Sequence, residues 1–358
     1  MRRFEYGRIQ SLSWDMDMLS LIAGIYRANG KEEVLLSQSP AVLESLVELA
    51  KVQSTEASNA IEGIVTTKAR IRSLVADKTT PRNRDEEEIM GYRDVLNTVH
   101  ENYEYIDLTR QIVLQLHRDL YAYSHKGIGG QFKNVQNSII ERLTDGSEVE
   151  RFKPLAPYET PAAIDDICHS INAVLQDKSV DPLLVIPVFI HDFLCIHPFN
   201  DGNGRMSRLL TTLLLYQNGY MIGKFISLEQ KIERTKDSYY AALAQSGEGW
   251  HTGDEDVVPF VKYMLRVILA AYRDFESRIA LLNTSLSAKD RIKIIISATI
   301  GKVTKSGILE KQPDIAVSTV EKALKELVEE GFIERHGVGR STFYVKVSQK
   351  ISFHAKYI

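Results

Sequence analysis

A polar stretch of twelve residues sits between two apolar runs. It reads His197-Pro198-Phe199-Asn200-Asp201-Gly202-Asn203-Gly204-Arg205-Met206-Ser207-Arg208, and the runs are Leu183–Ile196 and Leu209–Tyr216. Segments that apolar have to be buried, most simply as helices that are hydrophobic all round. A loop held between two buried helices has little freedom, so its groups converge on one place. Gly202 and Gly204 can take backbone conformations closed to other residues. A glycine turn opening straight into a helix aims several N–H groups at one point, an anion nest at the positive end of the helix dipole. Arg205 and Arg208 are three apart and so share a helical face over that nest. Their guanidinium forks suit phosphate oxygens. Two arginines and a nest have capacity for a di- or triphosphate.

Asp201 is the only carboxylate in the stretch. Beside phosphate oxygens it needs a cation between, which reads as a Mg²⁺ anchor. His197, at the loop's start, suits a general base for a hydroxyl nucleophile, because histidine titrates near neutral pH. Phe199 is expected to pack the loop onto the core. The side-chain amide of Asn203 is expected to be free to touch phosphate.

Elsewhere the apolar period is near 3.6. It predicts helices over 15–28 (stopped by Asn29-Gly30), Ala41–Ile61, Lys68–Val75, Glu86–Val99, Leu108–Tyr123, Pro161–Gln176, Leu183–Ile196, Gly204–Asn218, 229–245 and Val257–Leu281. Ser58 and Glu62 share one helical face just before Gly63, which on helix grammar alone reads as a solvated face before a terminating glycine. Residues 129–155 break the period. Ser138-Ile139-Ile140, a tight turn at Asp145-Gly146 and Arg151-Phe152-Lys153 suggest a β-hairpin or extended flap over 130–153. The last segment reads as helices over Arg291–Ile300, Ser306–Lys311 and Ser318–Glu330, then short strands over Phe332–Arg335 and Thr342–Val345. That order resembles a winged helix domain, a type that serves as DNA reader or protein docking module. Lys and Arg only slightly exceed Asp and Glu here, and Glu321, Glu326, Glu329 and Glu330 lie on its longest helix, so the electrostatic footprint for DNA is thin. The chain is therefore mainly α, in three regions: an N-terminal helical region, 1–82; a helical core with a flap, 83–282; and a terminal domain, 285–350.

At 358 residues there is room for a substantial core, and a net charge of −3 gives no global drive toward nucleic acid or anionic membrane. Cys168 and Cys195, both in apolar surroundings, suggest buried free thiols in a reducing compartment. No apolar h-region follows the charged N-terminus, so no signal peptide is expected. Pro187, His191 and Asp192 interrupt the longest apolar run, which is too short to span a bilayer. A cytoplasmic protein is expected.

The pattern His197-x-Phe199-x-Asp201-Gly202-Asn203-Gly204-Arg205-x-x-Arg208 resembles the full signature of Fic domain proteins. The resemblance implies a mostly helical core with a hairpin flap beside the active site. It also implies transfer of AMP from ATP to a Ser, Thr or Tyr hydroxyl of a target protein, with release of pyrophosphate. Carried over by position, His197 takes the hydroxyl proton and Asp201 holds Mg²⁺. Asn203 and the Gly202–Gly204 backbone hold the α- and β-phosphates, Arg205 supports the β-phosphate and Arg208 the γ-phosphate. Phosphate-transferring Doc relatives have lysine where this chain has Gly204, which points to nucleotidyl transfer. Ser58-x-x-x-Glu62-Gly63 resembles the family's inhibitory motif, in which Glu62 pairs with Arg208 and Ser58 steadies the pairing. The flap residues Val135, Gln136, Asn137, Ser138 and Ile139 would align the target by strand addition. Tyr239 and Tyr240 would border the adenine or be self-modified, against the plainer reading of ordinary core and surface tyrosines. Glu62-dependent removal of AMP, or a DNA-binding regulator with a nucleotide-sensing core, are the alternatives. A homodimer through the N-terminal helices is plausible, and no membrane contact is expected.

Overall fold

A computed structural model describes residues 2–36, 40–142, 148–282, 287–299 and 301–347. The turn expected at Asp145-Gly146, the end of the helix expected at Ile300 and the margins of 285–350 lie outside them. By internal contacts the chain forms two compact units, one of residues 1–36 and 50–275, the other of 37–49 and 276–358.

In the first unit, helices α1 (Met16–Leu36), α2 (Pro40–Ile61, from Ala50 onward), α3 (Lys68–Val75), α4 (Arg84–Asn102) and α5 (Arg110–Leu120) precede a hairpin. The hairpin joins β1 (Ile139–Arg142) and β2 (Glu148–Phe152), paired antiparallel with an irregularity at Ile139/Ile140. Then come α6 (Thr160–Gln176), α7 (Pro182–Ile196), α8 (Asn203–Gln217), α9 (Leu228–Arg234), α10 (Lys236–Gly247) and α11 (Val258–Leu282, as far as Phe275). Helix α7 is the axis. Leu183, Val185, Ile186, Phe189, Ile190, Phe193 and Ile196 are all buried, as the apolar run requires. Asp181 caps its first turn by accepting from the Leu183 N–H, and Pro182 takes the first helical position, where its missing N–H costs nothing. Helices α6 and α8 pack against α7, and α4 packs against both α5 and α8.

Phe199 carries the loop after α7 into this core. Its ring is fully buried, lies face to face with His117 (centroids 3.6 Å apart, planes 3° apart) and neighbours Phe132 and Phe193. Phe199→Ala is expected to cost about 3–5 kcal/mol, the range for emptying a buried aromatic site. Chemical denaturation measures this; a loss below about 1 kcal/mol would mean that the ring does not anchor the loop.

Several helix boundaries differ from expectation, three of them with a visible cause in the first unit. Helix α1 runs through Asn29-Gly30 to Leu36. The Asn29 side chain accepts from the Tyr272 hydroxyl (2.8 Å) instead of closing a cap, and the glycine penalty of about 1 kcal/mol is outweighed by burial of Ile25 and Ala28. The helix expected over 229–245 is two helices, broken at Thr235 (φ −121°, ψ 31°), whose hydroxyl bonds back to Lys231 O and across to Tyr263. The helix expected to reach Tyr123 ends at Leu120, because Tyr121 turns its hydroxyl to Arg205 (2.7 Å). Within 130–153 only 139–152 is hairpin; 132–138 is irregular chain laid against the loop after α7.

The second unit holds α12 (Ala288–Ala298), α13 (Lys305–Lys311), α14 (Val317–Glu329) and an antiparallel ribbon of β3 (Ile333–His336) and β4 (Phe343–Lys346), with Val303 bridging to Tyr344. Ile292, Ile295, Ile296, Ile308, Leu324 and Leu327 form its core. Ser287 and Thr304 cap α12 and α13, which start before the positions expected from apolar period alone. Lys289 pairs with Glu326 and Glu330, and Lys305 with Glu321, so these acids are met by lysines within the unit.

Burial also sets an acid limit. It pushes His100 down to about 3 and His117 and His191 down to about 4. The folded state refuses protons that the unfolded state accepts near pH 6.5. The stability these groups contribute is therefore complete above about pH 6.5 and lost as pH falls toward 4. Asp192, raised to about 6 by burial, acts the opposite way, but it is one group against three. The unfolding temperature is expected to fall between pH 7 and pH 5, and a constant or rising value over that interval would contradict the account.

Candidate active site

His197 ends α7 with left-handed backbone (φ 52°, ψ 63°). Its N–H still reaches Phe193 O (3.0 Å), and its Nδ1 faces Leu194 O at 3.3 Å. That carbonyl can only accept, so the proton belongs on Nδ1 and the lone pair on Nε2. Burial, with Lys133 adding to it, pushes His197 down to about 4, against Leu194 O, Glu62 and Asp201. The expected titration near neutral pH is corrected accordingly: His197 is a neutral acceptor across the physiological range.

Residues before the hairpin brace the loop. The Lys133 N–H donates to Pro198 O (2.8 Å), and its ammonium donates to Ile196 O (2.9 Å) and Asn137 Oδ1 (3.1 Å). Burial lowers this lysine to about 8. Asn137 in turn donates to Phe199 O (3.2 Å). His117 Nδ1 accepts from the Gly130 N–H (3.1 Å), so its Nε2–H donates to Asp201 O (3.0 Å). Of the five expected docking residues, Asn137 is thus committed to the loop. The Gln136 amide donates to Asn137 O and Pro154 O, and the Ser138 hydroxyl donates to Glu150. Val135 is 62% exposed, and Ile139 is exposed where β1 begins.

Asn203 is not free to touch phosphate. It is buried, its Oδ1 accepts from the Phe199 N–H (2.9 Å) and its Nδ2 donates to Phe199 O (2.8 Å), closing the loop on itself. Gly202 has the positive φ (86°) that its position demands, and a Cβ there would lie 3.0 Å from the Tyr121 ring and hydroxyl. It starts α8 without a side-chain cap, which leaves the first N–H groups of the helix open at its positive end. Gly204 is helical, contrary to the reading of both glycines as conformational. What it supplies is space: a Cβ would lie 2.2 Å from Glu62 Oε1.

That carboxylate comes from the end of α2. Glu62 Oε1 accepts from Arg208 Nη2 at 2.8 Å. Ser58 holds the arginine of this pair: its Oγ accepts from Nε (2.8 Å) and its carbonyl from Nη2 (2.9 Å). The Lys236 ammonium ties Ile61 O (2.7 Å) to α10. Tyr239, 3% exposed, packs on Tyr240, Phe260 and Tyr263, so of the two tyrosines only Tyr240 reaches the surface. Burial raises both phenols; Glu62 adds to the rise and Arg208 opposes it.

Arg205 does not share the nest face with Arg208. It is fully buried, donates to the Tyr121 hydroxyl (2.7 Å), and its Nη2 lies 2.7 Å from Glu88 Oε2 on α4. Lys126 bridges Glu88 Oε1 (2.8 Å) and Asp201 Oδ2 (2.5 Å). Burial pushes the Asp201 carboxyl up, but Lys126, Arg205 and the Gly202 N–H outweigh it and hold it below its usual value. Asp201 is therefore ionised, and its side chain is 46% exposed beside the open N–H groups. Among the described residues no cluster of three or more His, Cys, Asp or Glu could hold a metal. A single ionised carboxylate beside a phosphate nest fits Mg²⁺, which takes its other ligands from phosphate and water.

Glu88, His117, Tyr121, Lys126 and Lys133 were not anticipated from sequence. They lie on α4, α5 and the segment after it, with no fixed spacing to the loop; the only signal was the break in helical period at Gly129-Gly130.

An uncapped helix start, an ionised carboxylate, a neutral histidine acceptor and a buried arginine come together in a helical domain, a set of groups suited to phosphate. Residues 107–215 match the model of the Fic/DOC family, and the chain carries a Fic/DOC family domain. Among proteins named protein adenylyltransferase Fic, one from Drosophila yakuba is 27% identical over 315 residues, 85% of this chain and 56% of its own length. One from Nematostella vectensis is 24% identical over 221 residues, 58% of this chain and 45% of its own. The chain thus spans about half the length of the curated relatives it matches. The crystal structure of a Fic family protein from Desulfovibrio desulfuricans superposes with a TM-score of 0.61 at 20% identity, covering 94% of this chain and 98% of that one. A Fic domain containing signaling protein from Bacteroides thetaiotaomicron gives 0.61 at 22% identity, covering 74% and 100%. These two likenesses concern the fold. Among the described residues no helix is long and apolar enough to cross a membrane.

Proposed function

We propose that this chain transfers AMP from ATP to a hydroxyl of a target protein and that Glu62 restrains the reaction. The observation that carries the reading is the placement of His197, with Nδ1 committed to Leu194 O and Nε2 left as acceptor, on the loop that opens into the uncapped start of α8. The names of the relatives support it. The hydroxyl oxygen attacks the α-phosphorus, its proton passes to His197 Nε2, the bond from the α-phosphorus to the bridging oxygen breaks, and pyrophosphate leaves. The open N–H groups of α8 receive phosphate oxygens. Mg²⁺ on Asp201 would supply charge neutralisation for the phosphates. While Arg208 is held by Glu62 and Ser58, it is unavailable to a γ-phosphate, and the nucleotide is not aligned.

The test uses ATP labelled at either the α- or the γ-phosphate, with Mg²⁺, cell lysate and the Glu62→Gly variant. Label from the α-position is expected to stay on protein and label from the γ-position is not. Mass spectrometry then identifies the modified residue. Retention of γ-label would indicate phosphate transfer instead and overturn the reading. We read residues 285–350 as a winged helix module that docks protein, because the acids on α14 are met by lysines of the same unit and leave little net positive charge. Salt-dependent, sequence-selective retention of a DNA fragment by the full chain would reverse that reading.

A further inference from the structure

Lys126 lies outside the twelve-residue stretch, in the turn region after α5. Its ammonium sits between Glu88 Oε1 at 2.8 Å and Asp201 Oδ2 at 2.5 Å. Asp201 is the carboxylate that the proposed function gives to the metal, and this inference rests on that reading. The chain therefore places its own cation on an oxygen of the carboxylate that the proposed function gives to the metal. Arg84 lies 3.1 Å from Glu88 Oε1, and Arg205 Nη2 lies 2.7 Å from Glu88 Oε2 and 3.8 Å from Asp201. Three cations surround two carboxylates, so the cluster already carries surplus positive charge.

A bare divalent ion reaching Asp201 has to displace Lys126 from Oδ2 and add its charge to that surplus. A divalent ion carried on a nucleotide brings more negative than positive charge. Its phosphate oxygens give the displaced ammonium a partner. The same lysine thus opposes one ligand and tolerates or assists the other, with the sign set by the ligand's net charge. We propose that Lys126 is a specificity-determining placeholder cation: it makes Asp201 refuse free divalent metal and accept metal only together with nucleotide. Between turnovers it also keeps Asp201 oriented beside the N–H groups of α8.

The experiment measures Mn²⁺ retained by the full chain in equilibrium dialysis, first alone and then with a non-hydrolysable ATP analogue on both sides of the membrane. In Lys126→Met, affinity for Mn²⁺ alone is expected to rise about tenfold or more, while affinity for the Mn²⁺–nucleotide complex stays level or falls. Lys126→Arg, which keeps the charge, should behave like wild type. Lys126→Gln is a second neutral variant in case Met at this site disturbs Glu88, and thermal melting verifies that each variant is folded. Unchanged or weaker binding of Mn²⁺ alone by both neutral variants overturns the proposal, as does the absence of Mn²⁺ binding in every variant. Asp201→Asn separates the two levels. If it abolishes Mn²⁺ binding while Lys126→Met matches wild type, the lysine's role alone fails. If it leaves Mn²⁺ binding intact, the metal is not at Asp201 and both readings fall.

Discussion

Replacing Glu62 by glycine is expected to raise AMP incorporation by about 10- to 100-fold over wild type. The magnitude follows from what the carboxylate contributes. It makes one charge-assisted hydrogen bond to Arg208 at 2.8 Å, and such bonds are worth about 1.5–3 kcal/mol, a factor of about ten to over a hundred in occupancy. Stability is expected to fall by up to about 3 kcal/mol, because the buried Arg208 loses its carboxylate partner while keeping the hydroxyl and carbonyl of Ser58. Glu62→Gln, which keeps the size and loses the charge, should fall between the two. Labelling with ATP and Mg²⁺ at equal protein concentration measures the ratio. Equal incorporation by wild type and Glu62→Gly would remove the inhibitory role of Glu62 and leave the contact as a structural one.

His197→Ala, made in the Glu62→Gly background, is expected to lower the rate by about 10²- to 10⁴-fold, the usual contribution of a positioned general base. Nucleotide affinity should change little, because the N–H groups of α8 and Arg208 remain. That split between rate and binding separates loss of the base from loss of the fold. The pH dependence follows from burial. A group held at about 4 is already deprotonated throughout the neutral range, so the rate should be level from about pH 6 to 8 and decline only as pH approaches 4. A rise in rate centred near pH 6.5 would mean that His197 is solvated in the working enzyme. Persistent incorporation by His197→Ala would assign the base elsewhere.

Most of the helices were legible because their apolar faces are buried at the expected period; α7, apolar all round, was the clearest. The errors came from side chains with distant partners. Asn29-Gly30 has the grammar of a helix end, yet Tyr272 draws the asparagine into α11 and the helix continues. The site shows the same division. The structure puts His197, Asp201 and Gly202 on the loop between α7 and α8, and Arg208 within α8. Asn203 and Arg205 were read as phosphate ligands because they lie in the same stretch. In the fold they face inward, to Phe199 and to Glu88, and spacing along the chain does not encode which way a side chain turns. Lys126 and Lys133 could not be anticipated, since each meets the loop only through a contact across the fold. The pairing of Glu62 with Arg208 was legible only through a resemblance; helix grammar made it a solvated face.

The space above Gly204 has a consequence for how restraint is set. Without a Cβ there, the start of α8 has room for the carboxylate oxygen of Glu62. Under the proposed function a phosphate oxygen needs the same space, and the outcome is a competition between a ligand tethered to the same chain and one free in solution. Its balance point is the effective concentration of Glu62, which depends on how firmly the end of α2 is held. Lys236 on Ile61 O and the turn at Gly63 fix that end. Loosening this anchorage would dilute the internal competitor and shift the nucleotide level at which the enzyme starts to work, with every contact inside the site unchanged.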